Sequence, residues 1–307
     1  MRFVAGRKAT FSIVAADPAT GEVGCAVQSK YFAVGNVVPW ARSGVGAVAT
    51  QAAGVAAFGP RILELLAAGA SPAEAIDQAL ASDPGRETRQ LGVVAADGSA
   101  VAHTGADCLA WAGHRVGPGC AVQGNILAGE AVVVEMERAF LETTGALEER
   151  LVAALEAGQA AGGDSRGQQS AAVLVERRGA AAETREGLDR ACDLRVDDHP
   201  EPIAELRRLL GIHLIWDALR RASSHHAAGR YAEGVAILAA AHGQHGDDAT
   251  LLYDLACFEC LDGRLDDALA HVRRSLALEP GFRAAIAADP DFAALASNAE
   301  FRALVAG

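Results

Sequence analysis

The sequence predicts an α+β domain of two packed antiparallel sheets with helices outside both, followed by an all-α tetratricopeptide-like domain. Apolar strand-type alternation comes in pairs joined by short turns, which is typical of antiparallel hairpins. Two segments with helical periodicity lie between these groups of strands, and a 34-residue repeat comes later in the chain. We expect the first domain at 10–210 and the second at 211–307, with 1–9 as an N-terminal extension.

The chain opens with strands. A strand is predicted over 10–17 and another over 23–30, and the turn PATGE between them makes the pair a hairpin. A third strand is predicted over 44–51, where small residues allow another backbone to come close. The segments GPRILELLAAG and SPAEAIDQALASD then predict two helices, and Ser71 before Pro72 is a suitable N-cap for the second.

Strands and helices then recur in the same order. A hairpin is predicted over 89–105, with its turn at Asp97-Gly98, and a strand over 119–126 ends in Gly-Asn. EAVVVEMERAFLETT and LEERLVAALEAGQAA predict two helices, and a last strand is predicted over 170–179. Two sheets packed together, with a pair of helices outside each, would use this order economically.

The second half changes character after 193–202 and has helical periodicity throughout. GRYAEGVAILAAA begins at Gly229 and GRLDDALAHVRRSLALEP begins at Gly263, 34 residues later. This is the period of the tetratricopeptide repeat, which suggests a protein partner on a concave face. From Phe282 onward we expect a polar capping segment. The alternative is an unrelated pair of helical hairpins with coincidental spacing.

Composition narrows the expected partners. The 307 residues carry a net charge of −12, and an acidic surface is a poor match for phosphate backbones, so no nucleic-acid partner is expected. The N-terminus lacks the apolar region of a secretory signal, and no window approaches the ~18 apolar residues of a membrane helix. We therefore expect a cytoplasmic protein without membrane contact. The six cysteines are scattered, unlike a disulfide framework. No cofactor or metal is expected.

Thr10, in the stretch ATFSIVAAD, is the first candidate for chemistry. A hydroxyl is a weak nucleophile that needs a base, and a free α-amine with a pKa near ~7.7–8.0 can serve if the chain begins at Thr10. Function then depends on the removal of residues 1–9. The alternative is a strand residue whose hydroxyl satisfies backbone groups. Ser12, on the same strand face, is the weaker candidate.

Five ordered motifs resemble domain-of-unknown-function family 1028, which is grouped with the N-terminal-nucleophile hydrolases. They are TFSIVA, GCAVQSKYFAVGNVVPWARSGVGAVATQ, QGNILAG, GGDSRGQQSAAVLV and DLRVDDHPEP. The resemblance implies a four-layer α/β/β/α sandwich and a homo-oligomer. In many relatives the Thr of TFSIVA follows the initiator Met directly, whereas here residues 1–9 intervene. Self-cleaving relatives often cut after Gly, and here Ala9 stands at that position.

The same resemblance assigns roles to four further residues. Gly124 and Asn125 stand where a turn of the superfamily helps to form the oxyanion site, by backbone N–H groups or the Asn125 amide. Asp164 resembles the acidic residue that orients the terminal amine, and Ser170 shares that network. The alternatives are a left-handed turn at Gly124-Asn125 and an N-cap or surface-turn aspartate at 164.

Two cations and two metal-like patterns complete the candidates. Lys30 and Arg42 offer positive charge for the pKa of the amine or for a substrate carboxylate, the alternative being solvated cations at strand edges. Cys257 and Cys260 have CxxC spacing but lie in a predicted helix without a second CxxC, which disfavours zinc or redox chemistry. The sequence at 197–199, Asp-Asp-His, favours a turn over a metal site.

Two functions follow from these residues. The first is an amidohydrolase or peptidase-like enzyme that cleaves a small amide or peptide bond with an N-terminal threonine. The alternative is a non-catalytic ligand-binding or assembly scaffold with a protein-binding helical module. The state of residue 10 separates them, because only the enzyme needs a free α-amine at Thr10.

Overall fold

Ten β-strands among the described residues form two antiparallel sheets. The structure, a computed structural model, describes residues 10–182 and 187–306, and the expected 1–9 extension lies outside them. The larger sheet contains β1 (Thr10–Asp17), β2 (Glu22–Ser29), β7 (Gly113–Gly117), β8 (Cys120–Asn125), β9 (Ser170–Arg177) and β10 (Arg190–Val196). The smaller contains β3 (Pro39–Arg42), β4 (Gly46–Ala52), β5 (Arg89–Ala95) and β6 (Ala100–Thr104). Every strand pair is antiparallel, so the predicted pairing is confirmed.

The order of the strands puts β1 in the interior of its sheet. The larger sheet has the order β10-β9-β2-β1-β8-β7, and the smaller sheet has the order β3-β4-β5-β6. β1 therefore has a partner on each side, with Thr10 opposite Ser29 of β2 and opposite Asn125 of β8.

Four helices cover the outer faces of the two sheets. They are α1 (Phe58–Ala67), α2 (Pro72–Leu80), α3 (Ala131–Glu142) and α4 (Leu147–Ala160). α1 and α2 pack on the smaller sheet, where Ile62 and Ile76 share a buried cluster with Leu91 and Val93 of β5. α3 and α4 pack on the larger sheet. The layers are thus a helix pair, the larger sheet, the smaller sheet and a second helix pair.

The start of α2 confirms the cap predicted from the sequence. Ser71 Oγ accepts a hydrogen bond from Glu74 N, and Ser71 N donates to Glu74 Oε2 at 2.9 Å. Pro72 is the first helical residue, where its missing N–H group leaves no intrahelical bond unmade.

Three strands that the sequence did not predict, β3, β7 and β10, all lie at sheet edges. β3 is four residues long and begins with a proline, which edge strands tolerate. β7 is mostly exposed, and β10 carries charges at Arg190, Asp193 and Arg195. An edge strand pairs on one side only and need not bury its side chains, so it lacks the apolar alternation that marks an interior strand.

The second compact unit begins at Gly211, within helix α5 (Pro202–Ala227). It continues with α6 (Tyr231–His245), α7 (Ala249–Leu261), α8 (Leu265–Leu278), α9 (Arg283–Ala288) and α10 (Ala299–Ala306). α6 and α8 start 34 residues apart, each after a glycine with positive φ, 67° at Gly229 and 84° at Gly263. The helical second half is therefore confirmed. No helix of the described residues is long and apolar enough to cross a membrane.

The segment expected to be a polar cap contributes apolar side chains to the helical core. Phe292 and Phe301 are buried with Ile286 and Leu295 against residues of α7 and α8. The sequence did not predict these core positions, because polar residues separate them. The last turns are also short and partly of the 3₁₀ type, so the apolar residues have no clear 3.6-residue period.

Candidate functional site

The layer between the sheets is polar at one end. Alternate residues of a strand share a face, so Thr10 and Ser12 face the smaller sheet with Val14 and Ala16, which lie in the buried cluster between the sheets. Neighbouring strands change from apolar to polar at the same end. We call the polar end the eight buried residues Thr10, Ser12, Ser29, Gln51, Gln90, Gln123, Asn125 and Ser170.

Thr10 is the first residue of β1 and is fully buried. Its Oγ1 donates to Ser29 Oγ at 3.1 Å, and its carbonyl oxygen accepts from Gln51 Nε2 at 3.3 Å. Asn125 lies directly across from it on β8. Hydroxyl and amide groups are not bases at neutral pH, so these neighbours can position the Thr10 hydroxyl but cannot take its proton.

Gln51 joins the two sheets at the polar end. Its Oε1 accepts from Ser12 Oγ at 2.7 Å, and its Nε2 donates to Gln90 Oε1 at 2.9 Å. Because Ser12 belongs to β1 and Gln51 to β4, the hydrogen bond crosses the space between the sheets. One amide side chain therefore supports both the strand that carries Thr10 and the facing strand.

Gln90 holds the end of β8. Its Nε2 donates to Gly124 O at 2.7 Å, and its Oε1 accepts from Asn125 Nδ2 at 2.9 Å. Gly124 pairs with Phe11 rather than with Thr10, and it also pairs with Gly113 of β7. Of the two oxyanion candidates, Asn125 is therefore the one that lies opposite Thr10.

Gly92 makes room for the polar end. Gln123 Nε2 donates to Ser12 Oγ at 2.6 Å, and the Gln123 side chain lies over Gly92 of β5. A methyl group at position 92 would overlap Gln123 Oε1. The glycine is thus required by the close approach of a side chain from the other sheet.

Asp164 is buried beside the end of β2. Its Oδ2 accepts from Lys30 N and from Arg166 Nη2, both at 3.0 Å, and its Oδ1 accepts from Arg166 N at 2.9 Å. An isolated bridge to Leu127 brings the same loop to the end of β8. Asp164 therefore ties together the chain segments that follow the two neighbours of β1.

Ser170 positions the segment that follows β2. It pairs with Ser29 in the sheet, its Oγ donates to Tyr31 O at 2.5 Å, and it accepts from Val34 N at 3.1 Å. Lys30 is exposed, and its Nζ donates to Gln168 O at 3.0 Å. The structure thus brings Thr10, Asp164, Ser170, Asn125 and Lys30 to one end of the sandwich.

Backbone strain occurs at the same end. Ala33, Ala52 and Ile126 have positive φ values of 53°, 64° and 54°. Ala52 is the last residue of β4, and Ala33 and Ile126 come after β2 and β8, so all three lie at the strand ends that carry Ser29, Gln51 and Asn125. A left-handed conformation costs a residue with a Cβ on the order of 1–2 kcal/mol, and such residues cluster at functional sites.

Arg42 lies away from this group. It pairs with Gly46 at the opposite end of β4 from Gln51. At about 3.4 Å per residue, the positions of Gly46 and Gln51 are about 17 Å apart. The structure therefore does not bring Arg42 to Thr10.

The six cysteines are free thiols, and burial raises the pKa of the Cys120 thiol to about 11.

In the helical unit, ligand atoms of Cys257, Asp289 and Asp291 lie within 4.8 Å of one another and could hold a metal ion. Both carboxylates already have partners, because Tyr253 OH donates to Asp289 Oδ2 at 2.5 Å and His226 Nε2 lies 2.8 Å from Asp291 Oδ2. Hydrogen bonding within the fold accounts for this cluster.

Sequence reasoning missed the three glutamines of the polar end. Gln51 and Gln123 each end a stretch of small apolar residues, AVATQ and CAVQ, and Gln90 begins the strand QLGVV. A polar residue that recurs at the ends of several core strands is the signal that could have identified them. Arg166 was also missed, although it is two residues from Asp164 and bonds to it.

Comparison with known proteins places the chain in a family. The model of the Family of unknown function (DUF1028) matches residues 10–206. The chain belongs to this family. A crystal structure of a family protein from Silicibacter pomeroyi is 33% identical, with a TM-score of 0.59 over 66% of this chain and 88% of that one. Curated proteins offer no match.

The family match begins at Thr10 and ends shortly after β10, so it contains both sheets and all of the polar end. The family is defined without an activity. The resemblance noted in the sequence is therefore confirmed at the level of this family.

Proposed function

We propose that the sandwich is an N-terminal-nucleophile hydrolase that cleaves a small amide or peptide bond after removal of residues 1–9. The observation that carries the proposal is the polar end, which surrounds the first residue of an interior strand with buried hydroxyl and amide groups. Burying polar groups costs folding free energy, and proteins commonly bear this cost at functional sites. The order of layers agrees with the α/β/β/α sandwich of that superfamily.

The reaction follows from a free amine at Thr10. The α-amine takes the hydroxyl proton as Thr10 Oγ1 attacks the carbonyl carbon, and a tetrahedral intermediate forms. The Asn125 amide, directly across from Thr10, is suited to stabilise its oxyanion. The protonated amine then gives the proton to the leaving nitrogen, which leaves an ester on Thr10. Water, deprotonated by the same amine, attacks the ester, releases the acid and restores the hydroxyl.

Asp164 and Ser170 act in this proposal by positioning. Asp164 fixes the backbone of Lys30 next to Ser29, and the Ser29 hydroxyl accepts from Thr10 Oγ1. Ser170 holds the backbone that follows Lys30. These contacts support a defined orientation of the nucleophile, and a misplacement of about 1 Å at such a site can lower the rate on the order of 100-fold.

The first test is the N-terminus itself. We expect the intact mass and N-terminal sequencing of the native protein to show a chain that begins at Thr10. A gene that begins Met-Thr10, from which cellular removal of Met leaves the threonine, provides the same form directly. This form should hydrolyse a member of a panel of small amides at least about 100-fold faster than the unprocessed chain, because only it has the base.

Substitutions separate the nucleophile from the fold. Thr10→Ala in the short form should abolish hydrolysis, while Thr10→Ser should retain part of it. Thr20→Ala, at an exposed turn threonine, is the matched control and should leave the rate unchanged. A native chain that keeps residues 1–9, together with a short form that hydrolyses no amide, would overturn the proposal.

The burial of Thr10 favours a second candidate, a non-catalytic ligand-binding or assembly scaffold. A fully buried hydroxyl that donates to Ser29 is also what an ordinary strand residue provides. In this case the helical unit, with its 34-residue spacing, would recognise a protein partner as a tetratricopeptide-like module, and the sandwich would assemble as a homo-oligomer. The scaffold tolerates both residues 1–9 and Thr10→Ala, so the same experiments decide between the two.

A further inference from the structure

A cleft opens beside the polar end, where three neighbouring strands have their ends. Its volume is about 260 Å³, and it is lined by Lys30, Gln168, Gln169, Asp198, His199 and Pro200. Lys30 follows β2, the two glutamines precede β9, and the last three residues follow β10. Since β2, β9 and β10 are adjacent in the sheet, these loops meet at one place.

The cleft carries both signs of charge. Lys30 Nζ donates to Gln168 O at 3.0 Å, and Asp198 Oδ1 accepts from Gln169 Nε2, also at 3.0 Å. The ammonium and the carboxylate are thus held by separate neutral partners. An arrangement of this kind presents one group for a ligand anion and another for a ligand cation.

His199 adds a donor to the cleft. Its Nδ1 accepts from Glu201 N at 3.0 Å, so the neutral ring carries its proton on Nε2. Its backbone N donates to Gln169 O at 2.8 Å, which fixes the loop after β10 against the segment that precedes β9. The histidine therefore offers an N–H group in the same cleft as the Lys30 ammonium.

The cleft is connected to Thr10 through a short series of bonds. Lys30 is the residue after Ser29, whose Oγ accepts from Thr10 Oγ1 at 3.1 Å. Gln169 N donates to Ser29 O at 3.1 Å. A ligand in the cleft would thus lie beside the strand neighbour of the proposed nucleophile.

We infer that this cleft binds the zwitterionic head group of an amino acid, with its carboxylate at Lys30 and His199 and its ammonium at Asp198. The consequence for catalysis rests on the proposed function. With Thr10 as the nucleophile, the amide that it attacks would belong to a small substrate that carries a free amino-acid head group. The volume is just below the range of about 300–1,000 Å³ that holds drug-sized ligands, which suits such a head group. Asp198 and His199, which the sequence favoured only as parts of a turn, become recognition residues.

Four small probes test the inference on the full chain by NMR titration. L-alanine has both charges, propionate lacks the amine, ethylamine lacks the carboxylate, and propionamide is neutral. L-alanine should bind about five-fold more tightly than propionate or ethylamine, as expected for one additional exposed charge pair, and propionamide most weakly. None of the first three contains an amide bond, so binding is measured independently of catalysis.

Two variants test which charge of the ligand each of the two side chains, Lys30 and Asp198, binds. Lys30→Met should weaken L-alanine and propionate about five-fold and leave ethylamine unchanged, whereas Asp198→Asn should weaken L-alanine and ethylamine and leave propionate unchanged. The matched controls are Arg138→Met and Asp77→Asn, which remove exposed charges from helices α3 and α2. They should leave all four titrations unchanged.

Three results would overturn the inference: equal binding of propionate and L-alanine, no binding of L-alanine, or binding that neither Lys30→Met nor Asp198→Asn weakens. Failure of the proposed function looks different, because a chain without hydrolytic activity would still discriminate between L-alanine and its fragments.

Discussion

The two halves of the layer between the sheets are built from the same strands but from different residues. At one end Val14, Val23, Ala47 and Val94 interlock in an apolar cluster. At the polar end, the same faces carry hydroxyl and amide side chains that are equally buried. The change occurs within one strand, since Ser12 and Val14 are two residues apart on the same face of β1.

The two halves stabilise the fold in different ways. Apolar burial contributes roughly 25 cal/mol per Å² and requires no particular partner. Buried amides contribute little net free energy even when they are paired, and they destabilise the fold when one partner is missing. Gln51 and Gln90 are therefore held by several bonds each, and their positions are more narrowly defined than those of neighbouring valines.

Burial of apolar surface does not explain the choice of residues at the polar end. A second apolar cluster would fill the same space without leaving any buried group in need of a hydrogen-bond partner, as the cluster in the other half of the layer does. The residues present instead surround Thr10 with directional groups, which is what a site of chemistry or of specific binding needs.

The largest expected effect comes from removal of the amide that joins the sheets. Gln51→Leu keeps most of the side-chain volume. It removes the amide to which the Ser12 hydroxyl donates and from which the side-chain oxygen of Gln90, Oε1, accepts. We expect the free energy of unfolding to fall by about 2–4 kcal/mol, because two or more buried groups lose a hydrogen bond. Denaturant unfolding at neutral pH measures it.

Gln28 provides the matched control. It is fully buried on β2, opposite Phe11, and neither its Nε2 nor its Oε1 has a hydrogen-bond partner in the described part of the chain. Gln28→Leu should therefore raise the free energy of unfolding, by about 1 kcal/mol. If the two glutamine-to-leucine changes destabilise equally, the network at the polar end is not what distinguishes them.

A smaller effect is expected where a side chain crosses between the sheets. Gly92→Ala places a methyl group against Gln123 Oε1, so Gln123 must move away from Ser12. We expect a loss of about 1–3 kcal/mol in the free energy of unfolding. Gly243→Ala is the control, since a Cβ there has nothing within 4 Å and helix α6 should gain up to about 1 kcal/mol.

Thermal unfolding of both glycine variants checks the prediction. A neutral Gly92→Ala would mean that Gln123 has another position of equal free energy, and that the polar end is less narrowly defined than its hydrogen bonds indicate.

Interior elements of the fold were predictable because burial leaves a periodic pattern. β1, β8 and β9 alternate or are continuously apolar, and the cap at Ser71 follows from local chemistry. Edge strands such as β10 lack that pattern, because their pairing depends on a neighbour that is distant in sequence. Helices α6 and α8 were predictable for a different reason, since their repeat is visible as a spacing.

The candidate site was predictable only in part. Thr10, Asp164 and Asn125 stand out by residue type and by their motifs, but the sequence does not show which glutamine from one sheet meets which serine from the other. Gln51 and Ser12 are 39 residues apart, and their contact depends on the packing of two sheets. Arg42 has the right charge for a site, yet the register of β3 places it at the opposite end.

The smallest expected effect is a pH dependence at the margin of the polar end. Gln90 Nε2 donates to Thr104 Oγ1 at 3.0 Å, and Thr104 Oγ1 lies 2.8 Å from His114 Nδ1. If Thr104 donates onward, His114 must accept at Nδ1 and cannot be protonated there. Burial, and then the neighbouring His103, lower the pKa of His114 below its ordinary value of 6.5.

The unfolded chain therefore binds a proton at His114 more readily than the folded chain does, in the window between the lowered pKa and about 6.5. The free energy of unfolding should fall as the pH decreases through this window, and His114→Gln should reduce that fall. The difference should be only about a few tenths of a kcal/mol, because the ring is only partly buried and water screens its charge. NMR titration of the ring measures the pKa directly, and His103→Gln should raise it. A His114 pKa at or above 6.5 would show that Thr104 does not donate to it, and that the hydrogen-bond network of the polar end stops at Thr104.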